Sequence, residues 1–227
     1  MAAESGESID QLEARLRQQF AVVDERIACA GRVFNVLHPR SADELISEDE
    51  FNVDERLPYW AEIWPSARVL AERLAEESGD HRRLLELGCG CGYVALVAGH
   101  LGFEVLATDY YEPACEFVTL NAARHELANI MPRLVNWRAL PELHRFDVVI
   151  AADVLYEQGY CKLVASVIAK TLAPRGVCLV TDPGRERAKT FLEACSTEGL
   201  LGELARRVPY NDGTNKPTVD LYELRWK

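Results

Sequence analysis

The 227-residue chain has no long uncharged apolar run, so no segment of it reads as a bilayer-spanning helix. Its amino-terminal MAAESGESID lacks the basic start and apolar core of a secretory signal. Seven cysteines include no C-x-x-C pair; Cys89 and Cys91 are separated by one glycine, which makes reduced thiols the expectation, with no metal site. Those absences together give the expectation of a cytoplasmic protein outside any membrane. Basic runs are also missing. With 25 Lys and Arg against 36 Asp and Glu, the net charge is −11, and an acidic surface repels phosphate backbones. Nucleic acid is therefore not expected as a partner, whereas a basic protein or an amine is. No repeat and no second domain is apparent; the length suits one domain with an appendage.

What is present centres on Leu84 to Asp109, LLELGCGCGYVALVAGHLGFEVLATD. An apolar run, a turn with Gly88, Gly90 and Gly92, a helix-like segment to about Leu101 and a second apolar run ending in Asp109 form a β-α-β unit. Such a turn lies at the carboxyl edge of a parallel sheet, where glycine lets a ligand approach the backbone, and a strand-end acid can accept from a ribose diol. A dinucleotide fingerprint wants a third glycine three residues after Gly90. Tyr93 stands there instead. The carboxylate of Glu86 at the end of the first strand is likewise ill placed beside a pyrophosphate but suits a cofactor carrying an ammonium and a sulfonium. The residues favour S-adenosylmethionine over NAD; a plain connecting turn is the bland alternative.

The remaining chain extends the same alternation. Ser8 to Gln19 carries apolar residues at Ile9, Leu12 and Leu16, an amphipathic helix behind a serine cap. FAVVDERIACA and RVFNVLH, joined near Ala30-Gly31, predict a hairpin. SADELISEDEFNVDER reads as a solvated loop or as an acidic rim for a cationic substrate. In Pro58 to Ser66, Trp60 reads as a packing staple, and Trp64, next to a helix start, as a cofactor contact; a helix follows from Ser66 to about Glu77. Helices are expected over Glu112 to about His125, Glu157 to Leu172 and Glu186 to Glu198. Strands are expected over Arg133 to Asn136, Asp147 to Ala151 and Val177 to Thr181. Two closing strands, Glu203 to Tyr210 and Val219 to Trp226, are joined by the turn-rich NDGTNKPT. From Leu84 that makes seven strands. The expected fold is α/β and Rossmann-like, a mostly parallel seven-stranded sheet with an antiparallel last strand and helices on both faces. Residues 1–57 form a small helix and hairpin extension to a domain over residues 58–227.

By its glycine motif, I-W-P-S-A at Trp64, the Asn136-Trp137 pair and the D-x-x-Y of Asp153-Val154-Leu155-Tyr156, the chain resembles the seven-β-strand S-adenosylmethionine-dependent methyltransferases. Within them it is similar to methyltransferase family 16, whose members include protein-lysine methyltransferases. The resemblance implies a class I methyltransferase sheet, S-adenosylmethionine as cofactor and a protein lysine side chain as acceptor. It implies that Trp64, Gly88, Cys89, Gly90, Asp109, Trp137 and Ala152 line the cofactor, with Glu86 at its methionyl end, Asp109 on the ribose hydroxyls and Trp137 near the adenine. Asp commonly precedes that Trp in the family; here it is Asn136, whose amide can still accept a hydrogen bond. Asp153 and Tyr156 are the candidate catalytic pair, anchoring and orienting an ammonium, against an N-cap role for Asp153 and core packing for Tyr156. The Asp182-Pro183-Gly184-Arg185 turn lies at the same sheet edge and borders the entrance or simply turns the chain. A small amine or pyridine-type metabolite is the rival acceptor, and a non-catalytic binding protein the rival class.

Overall fold

The computed structural model describes residues 7–45, 58–156, 159–210 and 218–227. Most of the acidic loop, NDGTNKP of the closing link, and Glu157 and Gln158 lie outside the described residues. The chain opens with α1 (Ile9–Gln19), begun by a reciprocal Ser8–Gln11 capping box and docked by Leu12 and Leu16. Strands β1 (Val22–Cys29) and β2 (Arg32–Pro39) form the expected hairpin. Its two-residue turn places Ala30 at φ +51° and Gly31 at φ +72°, as required for a tight turn that follows the strand twist.

The body is a seven-stranded sheet of β3 (Arg83–Leu87), β4 (Glu104–Asp109), β5 (Ile130–Leu134), β6 (Phe146–Ala152), β7 (Leu172–Asp182), β8 (Leu200–Pro209) and β9 (Thr218–Trp226). Five helices accompany it: α2 (Pro65–Leu74), α3 (Tyr93–His100), α4 (Glu112–Arg124), α5 (Tyr160–Thr171) and α6 (Arg187–Thr197). The sheet order is β5-β4-β3-β6-β7-β9-β8; β9 alone runs against its neighbours, as the sequence leads one to expect. Separate apolar clusters lie on the two faces, one around α3 and Leu84, the other around α5 and Leu85. Strands covered on both faces read as continuous apolar runs, which is why Leu84-Leu85 and Val148-Val149-Ile150 contain no polar residue.

Element boundaries moved where local chemistry gave mixed signals. β5 begins at Ile130 instead of Arg133 because it is an edge strand, where Pro132 leaves no ladder bond broken; Val135, beyond it, still donates to the Asp109 carbonyl at 2.7 Å. β7 begins at Leu172 instead of Val177. Its pairing with β6 jumps from Phe146↔Leu172 to Val148↔Val177, so Ala173 to Gly176 form a bulge that the sequence presents as a plain link. β8 starts at Leu200, directly after Gly199 at φ +89°.

The hairpin is tied to the glycine turn through one side chain. Asn121 of α4, fully buried, accepts from Leu37 N at 2.9 Å and donates to Leu37 O at 2.9 Å and Cys91 O at 3.0 Å. An amide supplies both a donor and an acceptor, which an edge of β2 requires when it is buried.

Candidate functional site

The order of strands reverses between β3 and β6: the chain winds from β3 outward to β5, then returns to β6 and winds the other way. A crevice opens at the carboxyl ends of those two strands, the position where open α/β sheets bind ligands. A cavity of about 410 Å³ occupies it, within the ordinary range of small-molecule sites. Every sequence-identified residue lines it: Trp64, Glu86, Gly88, Cys89, Gly90, Asp109, Trp137, Ala152, Asp153 and Tyr156. They come from five segments of the chain.

The glycine turn is held from below. Gly88 N and Cys89 N both donate to Thr108 O, at 2.9 and 3.0 Å, and Gly90 N donates to Asp109 Oδ2 at 2.9 Å. Asp109 Oδ1 also accepts from Tyr111 N at 3.0 Å. These amides are thus already engaged within the chain. At the amino end of α3 the protein supplies its own carboxylate, Glu86, whose charged form the Ala95 amide favours. A pyrophosphate would need those amides and would face that charge, so the geometry supports the reading of the turn as no dinucleotide cradle.

Three buried polar atoms in the cavity lack a hydrogen-bond partner among the described residues: Glu86 Oε2, Trp137 Nε1 and Asp153 Oδ1, the last within ion-pair distance of Arg185 at 2.8 Å but without hydrogen-bond geometry to it. Buried polar atoms are normally paired, and an orphan lining a cavity points to a ligand. Burial pushes the Glu86 carboxyl well above the usual glutamate range, and the nearby Asp109 charge adds to the rise. Burial raises Asp109 too, against the pull of the Tyr111 and Gly90 amides. A cation bound between them reverses both rises. The acceptor, donor and acid set fits S-adenosylmethionine: an ammonium and a sulfonium for the carboxylates, a ribose diol for Asp109, and an adenine for the indole.

Glu86 has a measurable consequence in the protein without cofactor. Its folded pKa lies above its unfolded value, so the folded state binds the proton more tightly and stability declines as pH rises from the ordinary glutamate range through the folded value. Glu86→Gln removes that loss. Urea midpoints of the two proteins, measured from about pH 5 to about pH 8, are expected to diverge in favour of the variant as pH rises. Parallel curves would mean that Glu86 is already compensated inside the chain.

Also lining the cavity, Asp153 follows β6 with φ +59°, a left-handed conformation that aspartate tolerates better than most residues. Its N–H donates to Thr181 O at 2.9 Å, and its side chain is 12% exposed. It is not a helix cap: the N-cap of α5 is Gly159. Tyr156 is half-buried, its ring 5.3 Å from those of both Tyr59 and Tyr160. Tyr59 meets Trp64 at 5.8 Å and Tyr160 meets Trp137 at 5.9 Å, all four contacts edge-to-face. An unbroken arc of five rings therefore joins the two tryptophans across the cavity, and ring faces attract cations.

Several sequence readings are refined here. Trp60 is the staple, packed on Phe20, Tyr111 and Phe117 at 5.8, 6.3 and 5.9 Å. Trp64 lines the cavity, its Nε1 donating to Tyr59 O at 2.9 Å. Asn136 Oδ1 accepts from Arg138 N at 2.9 Å, capping the short helix Trp137–Ala139. The oxygen considered for adenine is thus engaged locally. Tyr59 and Tyr160 were missed; the aromatic spacing around Trp60 and Trp64 hinted at Tyr59, and nothing local marked Tyr160.

Strand order, glycine turn and strand-end acid define a class I methyltransferase fold. More narrowly, the chain belongs to the lysine methyltransferase family, which matches residues 52–198. It is 32% identical over 136 residues to the electron transfer flavoprotein beta subunit lysine methyltransferase of Xenopus laevis, covering 56% of this chain and 53% of that protein. It is 30% identical over 142 residues to protein N-lysine methyltransferase METTL21A of Xenopus tropicalis, covering 59% and 65%. The match thus spans only about half to two thirds of each relative's own length. Among solved structures, the T. Thermophilus 16S rRNA N2 G1207 methyltransferase, in complex with AdoMet and guanosine, is similar in fold. It has a TM-score of 0.65 and 16% identity, covering 91% of this chain and 51% of that one. No helix among the described residues is long and apolar enough to cross a membrane.

Proposed function

We propose that this protein is an S-adenosylmethionine-dependent methyltransferase that modifies a lysine side chain of a protein. The observation that carries the reading is one cavity lined by two buried carboxylates, Glu86 and Asp109, by Asp153, and by the aromatic arc of Tyr59, Tyr156 and Tyr160. Membership of the lysine methyltransferase family and two relatives named for protein lysine support the choice of acceptor.

When bound, S-adenosylmethionine supplies an electrophilic methyl group on a sulfonium. The chain's own work is to hold, align and desolvate. Glu86 takes the ammonium of the methionyl end, Asp109 the ribose hydroxyls, and Trp64, Gly88, Cys89, Gly90, Trp137 and Ala152 shape the remaining wall. A lysine amine has an unperturbed pKa of about 10.4 and must give up a proton before it can attack. Asp153 would anchor the arriving ammonium and Tyr156 present a ring to it, so that the nitrogen is aligned before it gives its proton to solvent. Positioning of this kind needs no covalent enzyme intermediate.

We take residues 58–227 as the methyltransferase domain and residues 1–57 as an extension that braces it through the Leu37–Asn121 bonds. All seven cysteines are free and buried, which favours the cytoplasm as its compartment. The test is transfer of label from radioactive S-adenosylmethionine into a cell extract, separated into protein and small-molecule fractions. The expected result is a discrete labelled protein whose hydrolysate contains methyl-lysine. Label confined to small molecules would move the acceptor to a metabolite amine, and cofactor binding without label in either fraction would point to a binding protein.

A further inference from the structure

The carboxylate end of the cavity carries a cation of its own. Arg185, from the turn after β7, places Nη1 2.8 Å from Asp153 Oδ1 and 2.6 Å from Asp182 Oδ2. Its backbone N–H donates to Asp182 Oδ1 at 2.7 Å, fixing the turn. Asp182 is wholly buried and Asp153 nearly so, and the two carboxylates face each other across one nitrogen. Two carboxylates this close cannot both stay ionised out of water without a cation between them.

The neighbouring charges do not supply that cation. Asp220, in register with Asp182 on β9, is itself satisfied by Arg207 at 2.6 and 2.8 Å and by Tyr222 Oη at 3.2 Å. Arg187 donates to the Tyr156 carbonyl, and Arg138 stacks on Tyr160 at 5.4 Å. From α2 the Ser66 hydroxyl acts on Asp153, and Glu86 and Asp109 line the same cavity. Burial pushes the Asp153 carboxyl up, the Ser66 hydroxyl and the Arg185 guanidinium pull it back, and Asp182 adds to the rise.

We propose that Arg185 is a positioning residue for methyl transfer: its guanidinium is the fixed counter-ion that keeps Asp153 ionised and leaves the Asp153–Asp182–Arg185 cluster with one net negative charge, matched to a single ammonium. The assignment of Asp153 to the acceptor rests on the function proposed above; the counter-ion role itself does not. With both carboxylates charged and no guanidinium, the cluster would hold two negative charges and take up a proton in place of the acceptor. Because a single nitrogen makes both contacts, a lysine ammonium can stand in for it as a point charge.

The deciding experiment follows the Asp153 carboxyl directly, by carbon-13 NMR of aspartate-labelled full-length protein, with its signal assigned by loss in Asp153→Asn. In Arg185→Gln the midpoint is expected to rise by about 1 pH unit or more, and in Arg185→Lys to return most of the way. Asp182→Asn, which removes the competing charge and keeps the guanidinium, is expected to lower it. The acid limb of the methyl-transfer rate should move with each midpoint. An Asp153 midpoint unchanged in Arg185→Gln, or raised equally in Arg185→Lys, would overturn the inference. Should Arg185→Gln fail to fold, the direction of the Asp182→Asn shift decides alone. Midpoints that move as expected in a protein with no transferase activity would uphold the counter-ion and sink the proposed function.

Discussion

Asp153→Asn is expected to reduce methyl transfer by about two to three orders of magnitude while S-adenosylhomocysteine binding stays within about twofold, because truncating one partner of a buried charge pair across a binding interface costs about 2–5 kcal/mol. The substitution is chosen to leave the backbone alone. Asparagine, like aspartate, tolerates the φ of +59° found here, and the N–H bond to Thr181 O does not involve the side chain. Arg185 keeps Asp182 at 2.6 Å, so the turn after β7 retains its ion pair. What disappears is the negative charge at the acceptor end. Glu86, Asp109 and the backbone of the glycine turn keep their own bonds, none of which runs through the Asp153 side chain, which is why cofactor affinity should hold. Steady-state rates on the labelled protein identified from the extract, with calorimetric titration of S-adenosylhomocysteine, separate the two effects. Transfer within tenfold of the unaltered protein would remove Asp153 from the anchoring role.

That separation of effects reflects how the site is written along the chain. Groups fixed by their own strand end were legible: Glu86 and Asp109 close β3 and β4, Asp153 follows β6, and in a parallel sheet all three ends share one edge. Groups whose role depends on a distant partner were not. Tyr59 and Tyr160 belong to the ring arc only because the segment before α2 and the start of α5 both meet Tyr156. Arg185 reads as part of a turn until Asp153 and Asp182 are seen on either side of its guanidinium. The β7 bulge and the early start of β5 escaped for a related reason. Pro174 and Gly176, like Pro132, signal a break, and only the pairing partner shows that an edge or a bulge accommodates them. Asn136 lines the cavity and in addition accepts from the backbone two residues on, a local bond that its place before Trp137 did not reveal.

Gly90→Ala is expected to lower stability by about 2–3 kcal/mol, from about 1–2 kcal/mol for an L side chain in the left-handed region plus a steric clash, and to weaken S-adenosylhomocysteine binding at least about tenfold. Gly90 has φ +50°, and a β-carbon there would lie 2.9 Å from the carbonyl oxygen of Trp60. The obstacle is backbone, and it cannot swing aside, because Trp60 is clamped by Phe20, Tyr111 and Phe117. Relief has to come from the turn itself, at the expense of the Gly90 N bond to Asp109 Oδ2, or from the Tyr59–Ala61 helix, which carries the ring next to Trp64. Either movement disturbs a wall of the cofactor cavity. Gly31→Ala provides the internal control: φ is +72°, yet nothing lies within 4 Å of the added carbon. It should carry the conformational penalty of about 1–2 kcal/mol with no change in binding. Urea unfolding and calorimetric titration of both variants therefore divide conformational strain from cavity damage. If Gly90→Ala loses no more than Gly31→Ala in either measurement, the close approach between the glycine turn and Trp60 is not what shapes the cofactor end of the site.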